Sequence, residues 1–133
     1  MAQALHVPVM AWSVPAGFAS PAEDYIERRL DFNDLLVDQP DATFVVRAKG
    51  RSMEKARIYD DALLVVSRAI TARHKHIVVA VVDGEFTVKR LWREDGVTRL
   101  VAESDDFPDI EFSEGQTLEV WGVVKWVLNR APD

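Results

Sequence analysis

The sequence contains no cysteine among its 133 residues. That absence excludes a disulfide scaffold, a thiol nucleophile, an iron–sulfur cluster and a zinc site with cysteine ligands. Basic residues are also few, since 16 Lys and Arg stand against 22 Asp and Glu, for a formal net charge of −6. An acidic chain is poorly suited to bind nucleic acid through its whole surface. The length fits one compact domain with a short arm.

Long apolar runs are missing too. Residues 1–22 carry no Asp, Glu, Lys or Arg, but three prolines interrupt them well short of the ~20 apolar residues that span a membrane. Val14 and Ala16 would suit a signal-peptidase cut before Gly17, yet no basic segment precedes them and Pro8 splits the apolar stretch. We therefore expect a cytoplasmic protein without a membrane anchor. A small secreted β protein stays as an alternative.

The first forty residues differ in character from the rest. Residues 1–19 are small and uncharged with no clear period, which predicts an extended, mobile arm. The string Ser20-Pro21-Ala22-Glu23 is typical of a helix start and predicts a short helix as far as about Arg29. Asp31 is predicted to cap a second short helix through residues 35–37, which Pro40 ends.

From residue 43 onward the sequence is rich in Val, Ile, Leu, Phe and Trp, which predicts strands. Asp83-Gly84, Glu94-Asp95-Gly96 and Glu114-Gly115 predict turns between them. Residues 77–82 are apolar at every position, so this strand should be buried on both faces or lie in a strongly curved sheet. We predict a mostly β fold, with a compact, curved, antiparallel domain over residues 41–133 and strands at 43–48, 62–68, 76–82, 85–92, 97–103 and 118–128.

Without cysteine, the possible nucleophiles are serine, threonine, lysine and carboxylates. His74 and His76 lie in the basic string 73–76, where we expect a polar turn with solvent-facing side chains rather than a catalytic or metal site. Ser52 and Lys89 are more interesting. Gly50 permits a sharp turn that exposes the Ser52 hydroxyl, and Lys89 is predicted to lie on a strand beside an apolar neighbour.

Burial can lower the pKa of a lysine by about 3–5 units and turn its amine into a general base for a serine. Spacing alone does not establish this pair, because most loop serines and strand lysines have no chemical role. The residues by themselves leave both interpretations open.

Several strings together resemble the LexA/UmuD family of self-cleaving serine peptidases, and in particular its UmuD-like members. The resemblance covers roughly residues 14–128, and the combination of its motifs is more specific than any one of them. The matching strings are Gly50-Arg51-Ser52-Met53 with Asp60, residues 63–66, residues 69–72, residues 82–91, residues 118–124, Ala16-Gly17-Phe18 and residues 20–25.

The resemblance implies a site and a role. Ser52 would be the nucleophile, Lys89 the general base, and Ala16–Gly17 the bond cut, within an arm of residues 1–40 that precedes a peptidase domain of residues 41–133. No cofactor and no metal are implied. A RecA–single-stranded DNA filament would stimulate self-cleavage in the SOS response. The processed homodimer would then serve a Y-family translesion DNA polymerase of the UmuC type, without sequence-specific DNA binding and without a membrane.

Two departures from the family pattern keep an alternative open. Arg51 stands where the family usually has Asp, and residues 54–62 lack two acids and two glycines of the family's loop. A non-cleaving interaction module of the same fold, binding polymerase or filament, is therefore the second hypothesis. Arg47, Lys49 and Arg51 alternate and are predicted to share one face of an edge strand. Trp12, within the arm, is a candidate to fill a groove in the uncut form.

Overall fold

The computed structural model describes residues 5–14, 16–17, 26–111 and 118–132. The chain divides into two compact units, Met1–Asp38 and Gln39–Asp133. In the first unit, strand β1 (Val7–Met10) pairs antiparallel with strand β2 (Ile26–Leu30). Helix α1 (Phe32–Leu36) follows, and the Asp31 carboxylate caps it by accepting a hydrogen bond from the Asn33 N–H at 2.9 Å. The predicted second helix and its cap are therefore confirmed.

The predicted first helix is wrong over its described part. Residues 26–29 belong to β2, and Ser20 to Tyr25 lie outside the described residues. The reason is that β1 and β2 satisfy each other's backbone hydrogen bonds, with Val7 opposite Leu30 and Val9 opposite Arg28. The predicted arm is extended at β1, but it is a paired strand there. A local capping signal could not reveal a partner that lies about twenty residues earlier.

The second unit contains two short 3₁₀ helices, Pro40–Ala42 and Glu54–Ala56, and a sheet. Within the described part of the chain, seven strands pair antiparallel in the order β3-β4-β9-β5-β6-β7-β8. This confirms the predicted mostly β, antiparallel fold. The strands are β3 (Thr43–Arg47), β4 (Leu63–Ser67), β5 (Ile77–Val82), β6 (Glu85–Glu94), β7 (Val97–Val101), β8 (Ile110–Glu111) and β9 (Leu118–Leu128).

Two hairpin turns lie where the sequence predicts them. Asp83 and Gly84 have φ values of 50° and 85°, and Asp95 and Gly96 have φ values of 53° and 74°. Positive φ at both central residues defines the two-residue turn whose twist matches that of the flanking strands. These turns join β5 to β6 and β6 to β7, which fixes the register of the strand that carries Lys89. The predicted turn at Glu114-Gly115 lies outside the described residues.

Strand β5 separates two hydrophobic cores, as its uninterrupted apolar sequence predicts. Val79 belongs to one core, whereas Val78 and Ala80 belong to the other, because successive side chains point to opposite faces. The first core also holds Met53 and Ile58, which follow Ser52 in the chain. That core therefore anchors the segment around Ser52 to the sheet.

Strand β9 carries two irregularities in register. Val79 and Ala80 of β5 face Gly122 and Val120, so Trp121 is an extra residue in β9. A similar shift on the β4 side makes Lys125 an extra residue of β9, between the partners of Val65 and Val66. Such bulges bend a strand and change the direction of its side chains. Gly122 lies next to the extra residue Trp121 and packs closely against β4. A Cβ added at Gly122 would lie 2.5 Å from Val66 Cγ1 and 3.1 Å from the Ser67 carbonyl oxygen.

We predict that Gly122→Ala lowers the free energy of unfolding by about 1–3 kcal/mol, because the added methyl group overpacks the contact between β9 and β4. Urea denaturation followed by circular dichroism measures the change. Gly17→Ala is the matched control, since nothing lies within 4 Å of a Cβ there, and its midpoint should stay unchanged. An unaltered midpoint for Gly122→Ala would show that β9 can move away from Val66 without cost.

Candidate active site

The segment after β3 turns sharply and presents Ser52. Gly50 has a φ of 94°, a conformation that favours glycine, and its N–H donates a hydrogen bond to Asp60 Oδ1 at 2.7 Å. The Ser52 carbonyl oxygen accepts a hydrogen bond from the Glu103 N–H at 2.8 Å. Met53, which is buried in the first core, fixes the chain on the other side of Ser52. The Ser52 backbone is thus held by a turn, a neighbouring strand end and a core residue.

Lys89 lies within hydrogen-bond distance of Ser52. Its side chain comes from the middle of β6, and Nζ is 3.0 Å from Ser52 Oγ. Two further acceptors surround Nζ, namely Thr87 Oγ1 at 3.0 Å and the Val88 carbonyl oxygen at 3.2 Å. The structure therefore brings the two predicted site residues together.

Lys89 is buried in an environment that disfavours its charge. It is only 8% exposed, and among the described residues no carboxylate lies within ion-pair distance of Nζ. Burial lowers the pKa of Lys89, since the ammonium form loses water without gaining a counter-charge. A neutral amine carries a lone pair, so it can accept a hydrogen bond from the Ser52 hydroxyl and then its proton.

A groove of about 390 Å³ opens beside Ser52. Its wall is mainly apolar and is built from β3, the segment after it, and parts of β5, β6 and β9. Apolar clefts with a few convergent polar groups are typical of ligand and substrate sites. The lining residues are Val46, Arg47, Ala48, Lys49, Gly50, Ser52, Met53, Ile58, Val79, Phe86, Thr87, Val88 and Trp121.

Three aromatic rings cluster at this groove, and we call them the aromatic shelf: Phe86 and Trp121, which line the groove, and Phe44, which packs against Trp121. The Trp121 ring centre lies 5.4 Å from that of Phe44 and 6.1 Å from that of Phe86. Arg68 packs over the Trp121 ring at 4.7 Å and donates a hydrogen bond to its carbonyl oxygen at 2.8 Å. The bulge in β9 places Trp121 in this position.

A second connection joins the Ser52 segment to β6. The Glu103 backbone donates to the Ser52 carbonyl oxygen and accepts from the Lys55 N–H at 2.8 Å, while its side chain pairs with Arg90. Arg90 is the residue next to Lys89, and its guanidinium also donates to the Lys75 carbonyl oxygen at 2.7 Å. The ion pair therefore links the strand of Lys89 to the loop of Ser52.

The predicted basic face is only partly present. Strand β3 ends at Arg47, and Gly50 turns the chain, so Arg51 does not continue the row. Arg47 and Lys49 both contact Asp61, at 3.4 and 2.5 Å, and Lys49 lowers the pKa of that carboxyl. Arg51 pairs with Glu54 at 2.8 Å, which raises the pKa of the guanidinium.

The two histidines form the predicted polar turn, but the predicted solvent-facing orientation is wrong for His74. Its ring packs edge-on against Trp92 at 4.4 Å between centroids, and Nδ1 accepts the Arg93 N–H at 3.1 Å. His76 Nδ1 accepts the Arg73 N–H at 3.0 Å. Aromatic packing explains why His74 is half-buried. The described residues include no group of three or more His, Cys, Asp or Glu side chains arranged to hold a metal ion.

Ala16 and Gly17, the predicted cleavage site, lie in a bend of the first unit and are both exposed. In sequence they stand between β1 and β2, so the bond between them lies in the connection of a two-stranded ribbon. No helix in the described part of the chain is long and apolar enough to cross a membrane.

Sequence reasoning missed Thr87 and Glu103. Thr87 could have been found, because residues two apart on a strand share a face and Thr87 precedes Lys89 by two. Glu103 gave no local signal, since it reaches Ser52 through backbone hydrogen bonds across about fifty residues of sequence.

The buried Lys89 amine should make folding stability depend on pH. In a Ser52→Ala background, which cannot self-cleave through Ser52, we compare Lys89 with Lys89→Met by urea denaturation from neutral to alkaline pH. Because the pKa is lowered in the folded chain, the unfolded chain binds more protons between that value and the ordinary one near 10.4. The stability of the lysine form relative to the Met form should rise across this interval, by at most about 1.4 kcal/mol per pH unit.

The exposed Lys125 of β9 supplies the control, because folding does not bury its side chain as it buries that of Lys89. Lys125→Met should therefore lack the pH-dependent gain in stability that we expect from the burial of Lys89. If the difference in stability between the Lys89 and Met forms does not vary with pH, water reaches the Lys89 amine in solution.

Comparison with known proteins identifies the family. A family model described as Peptidase S24-like matches residues 8–125. Protein ImpA of Salmonella typhimurium is 42% identical over 124 residues, which cover 92% of this chain and 83% of that protein. Protein MucA of Escherichia coli is 39% identical over 127 residues, covering 95% and 86%. The LexA repressor of Cupriavidus pinatubonensis is 39% identical over 104 residues, covering 77% of this chain and 47% of the repressor. The predicted relationship is confirmed, and the chain belongs to the Peptidase S24-like family.

Proposed function

We propose that this protein is a serine peptidase that cuts its own chain between Ala16 and Gly17, with Ser52 as nucleophile and Lys89 as general base. The observation that carries the proposal is the 3.0 Å contact between Lys89 Nζ and Ser52 Oγ, made by a buried lysine with no ion-pair partner among the described residues. Membership of a peptidase family supports it. A buried lysine without a counter-charge is costly to a fold, so a chemical role explains its presence better than stability does.

The chemistry follows from these two groups. The neutral Lys89 amine takes the Ser52 proton as Oγ bonds to the carbonyl carbon of Ala16. The tetrahedral intermediate collapses, the C–N bond breaks, and the Lys89 ammonium gives its proton to the departing Gly17 nitrogen. Water then attacks the Ala16 ester and passes a proton to Lys89, which returns it to Ser52. The products are an Ala16 carboxylate and a new Gly17 amino group.

The oxyanion of the intermediate needs hydrogen-bond donors. The backbone N–H groups of Ser52 and Met53 have no hydrogen-bond acceptor in the part of the chain that the structure describes, and they adjoin the nucleophile. We assign them this role, since backbone donors already fixed in place stabilise developing charge effectively. Thr87 and the Val88 carbonyl oxygen keep the Lys89 amine in position through their hydrogen bonds to Nζ.

The substrate segment suits the groove. Residues 1–22 carry no charged side chain, and the groove wall is mainly apolar. The residues between Gly17 and Ser52 can span on the order of 100 Å when extended, so chain length permits cutting within one molecule or between two copies.

The resemblance to UmuD-like proteins supplies the biological role that we propose. The protein acts in SOS mutagenesis in the cytoplasm, and a RecA–single-stranded DNA filament stimulates the cut. The processed chain forms a homodimer and serves as an accessory subunit of a UmuC-like Y-family DNA polymerase. Arg47 and Lys49 are paired with Asp61, which disfavours them as a surface for DNA.

The contacts of Arg51 support this proposal over a non-cleaving interaction module. Its guanidinium pairs with the Glu54 carboxylate. The Ser52 hydroxyl remains hydrogen-bonded to the Lys89 amine. The departure from the family at this position therefore leaves the two reacting groups unchanged, and we favour the peptidase.

A mass spectrum of the purified protein tests the peptidase after incubation at about pH 10, where even an ordinary lysine begins to deprotonate. We expect a fragment that begins at Gly17, with a rate that rises with pH and levels off above the lowered pKa of Lys89. Ser52→Ala and Lys89→Met should both stay whole, and the control Lys125→Met should be cut like the wild type. A fragment from Ser52→Ala would exclude Ser52 as nucleophile.

A second experiment tests the stimulation. We incubate the wild type at neutral pH with RecA and single-stranded DNA, and separately with each component alone. Cleavage should accelerate only with the complete filament. If the wild type stays whole both at alkaline pH and with the filament, while it binds the filament in a sedimentation assay, the interaction module is the correct function.

A further inference from the structure

The aromatic shelf leaves large parts of two of its rings exposed to solvent. Phe86 is 66% exposed and Phe44 is 42% exposed, although both rings contact Trp121. Arg68 holds the Trp121 ring from another side through its guanidinium contact and its hydrogen bond to the Trp121 carbonyl oxygen. The three rings thus form an ordered platform whose outer surface is open to a further aromatic group.

The shelf is continuous with the groove that contains Ser52. Phe86 and Trp121 line that groove directly. On β3, Phe44 and Val46 share one face, and Ala48 continues the same alternation just beyond the strand. Val46 and Ala48 line the groove as well, so a row of apolar side chains leads from the shelf to the turn that presents Ser52.

The spacing of this row matches the spacing of the proposed substrate. From Phe44 to Ala48 is four residues, or about 13 Å of extended chain. From Trp12 to Ala16 is also four residues, so an extended segment spans about the same 13 Å. Trp12 is the one aromatic residue in 12–16, and its neighbours in that segment are Ser13, Val14 and Pro15. With Ala16 placed beside Ala48, at the end of the row next to the turn that presents Ser52, Trp12 lies beside Phe44 of the shelf, whereas the smaller side chains cannot fill it.

We propose that the aromatic shelf is a specificity subsite that binds the Trp12 side chain when Ala16–Gly17 is placed for cleavage. This inference rests on the proposed function, because it assigns a register to the same substrate segment. Aromatic rings gain stability from edge-to-face and tilted contacts in addition to burial, and the shelf presents rings in such orientations. The occupant is residues 12–16 of this chain, from the same molecule or from a second copy.

The first test measures cleavage rates of the full chain at alkaline pH. Trp12→Ala and Phe86→Ala should each slow the appearance of the Gly17 fragment, by about tenfold if one aromatic contact is lost. The double variant should be no slower than the slower single variant, because both changes remove the same contact. Trp12→Phe should restore most of the rate. Trp126→Ala is the matched control, since it removes an exposed Trp of β9 that does not line the groove, and its rate should not change.

The second test detects docking of residue 12 at the aromatic shelf in a variant that cannot cleave itself through Ser52. The chain has no cysteine, so Trp12→Cys with Phe86→Cys in a Ser52→Ala background introduces a single possible disulfide pair within one molecule. Mild oxidation should crosslink these two positions, within or between chains. The pair Trp12→Cys with Trp126→Cys, in the same background, should stay largely uncrosslinked.

The outcomes separate the two proposals. Wild-type cleavage with an unaltered rate for Trp12→Ala overturns the subsite and leaves the peptidase standing. A loss of cleavage rate that is confined to Phe18→Ala would overturn the subsite too, since the shelf would then bind a residue on the Gly17 side of the cleaved bond. If the wild type is never cut, crosslinking specific to Phe86 supports the subsite while the peptidase fails, and equal crosslinking of both pairs overturns the subsite.

Discussion

The burial of one amine without a counter-charge is the constraint on which the site depends. A lysine at an exposed position of β6 would keep its proton at neutral pH and could not act as a base. Burial removes water from Nζ, and the hydroxyl of Ser52, the hydroxyl of Thr87 and a carbonyl oxygen replace it as hydrogen-bond partners. These neutral partners orient the amine without restoring the stability of its charge. The environment of Lys89 therefore favours the form that has a lone pair.

Such an arrangement needs a rigid frame, because a small movement would let water reach the amine. The hairpins at Asp83-Gly84 and Asp95-Gly96 fix β6 between two neighbours. Glu103 connects the Ser52 loop to the end of β7 through its backbone and to Arg90 through its side chain. The loop and the strand are thus joined at a second point besides the hydrogen bond between Ser52 and Lys89. The cost of burying Lys89 is offset by two hydrophobic cores that pack on opposite faces of β5.

The parts of the fold that follow local patterns could be predicted from the sequence. Strands with continuous apolar runs, the two Asp-Gly turns and the Asp31 cap depend on neighbours in the chain. The strand β2 could not be predicted in this way, because its identity depends on pairing with Val7–Met10. At the site, the family resemblance indicated Ser52 and Lys89, but the position of Glu103 and the bulge at Trp121 result from tertiary contacts. A propensity argument contains no information about such contacts.

The pairing of β1 with β2 has a consequence for what a cut at Ala16–Gly17 produces. The bond lies in the connection between two strands that form a ladder from Val7 opposite Leu30 to Met10 opposite Ile26. Hydrolysis therefore yields a nicked ribbon, in which the N-terminal peptide is still hydrogen-bonded to the remainder. The ladder then changes from an intramolecular contact to an intermolecular one, and its survival depends on protein concentration. Hydrolysis and loss of the peptide are separate events, and dilution alone can drive the second.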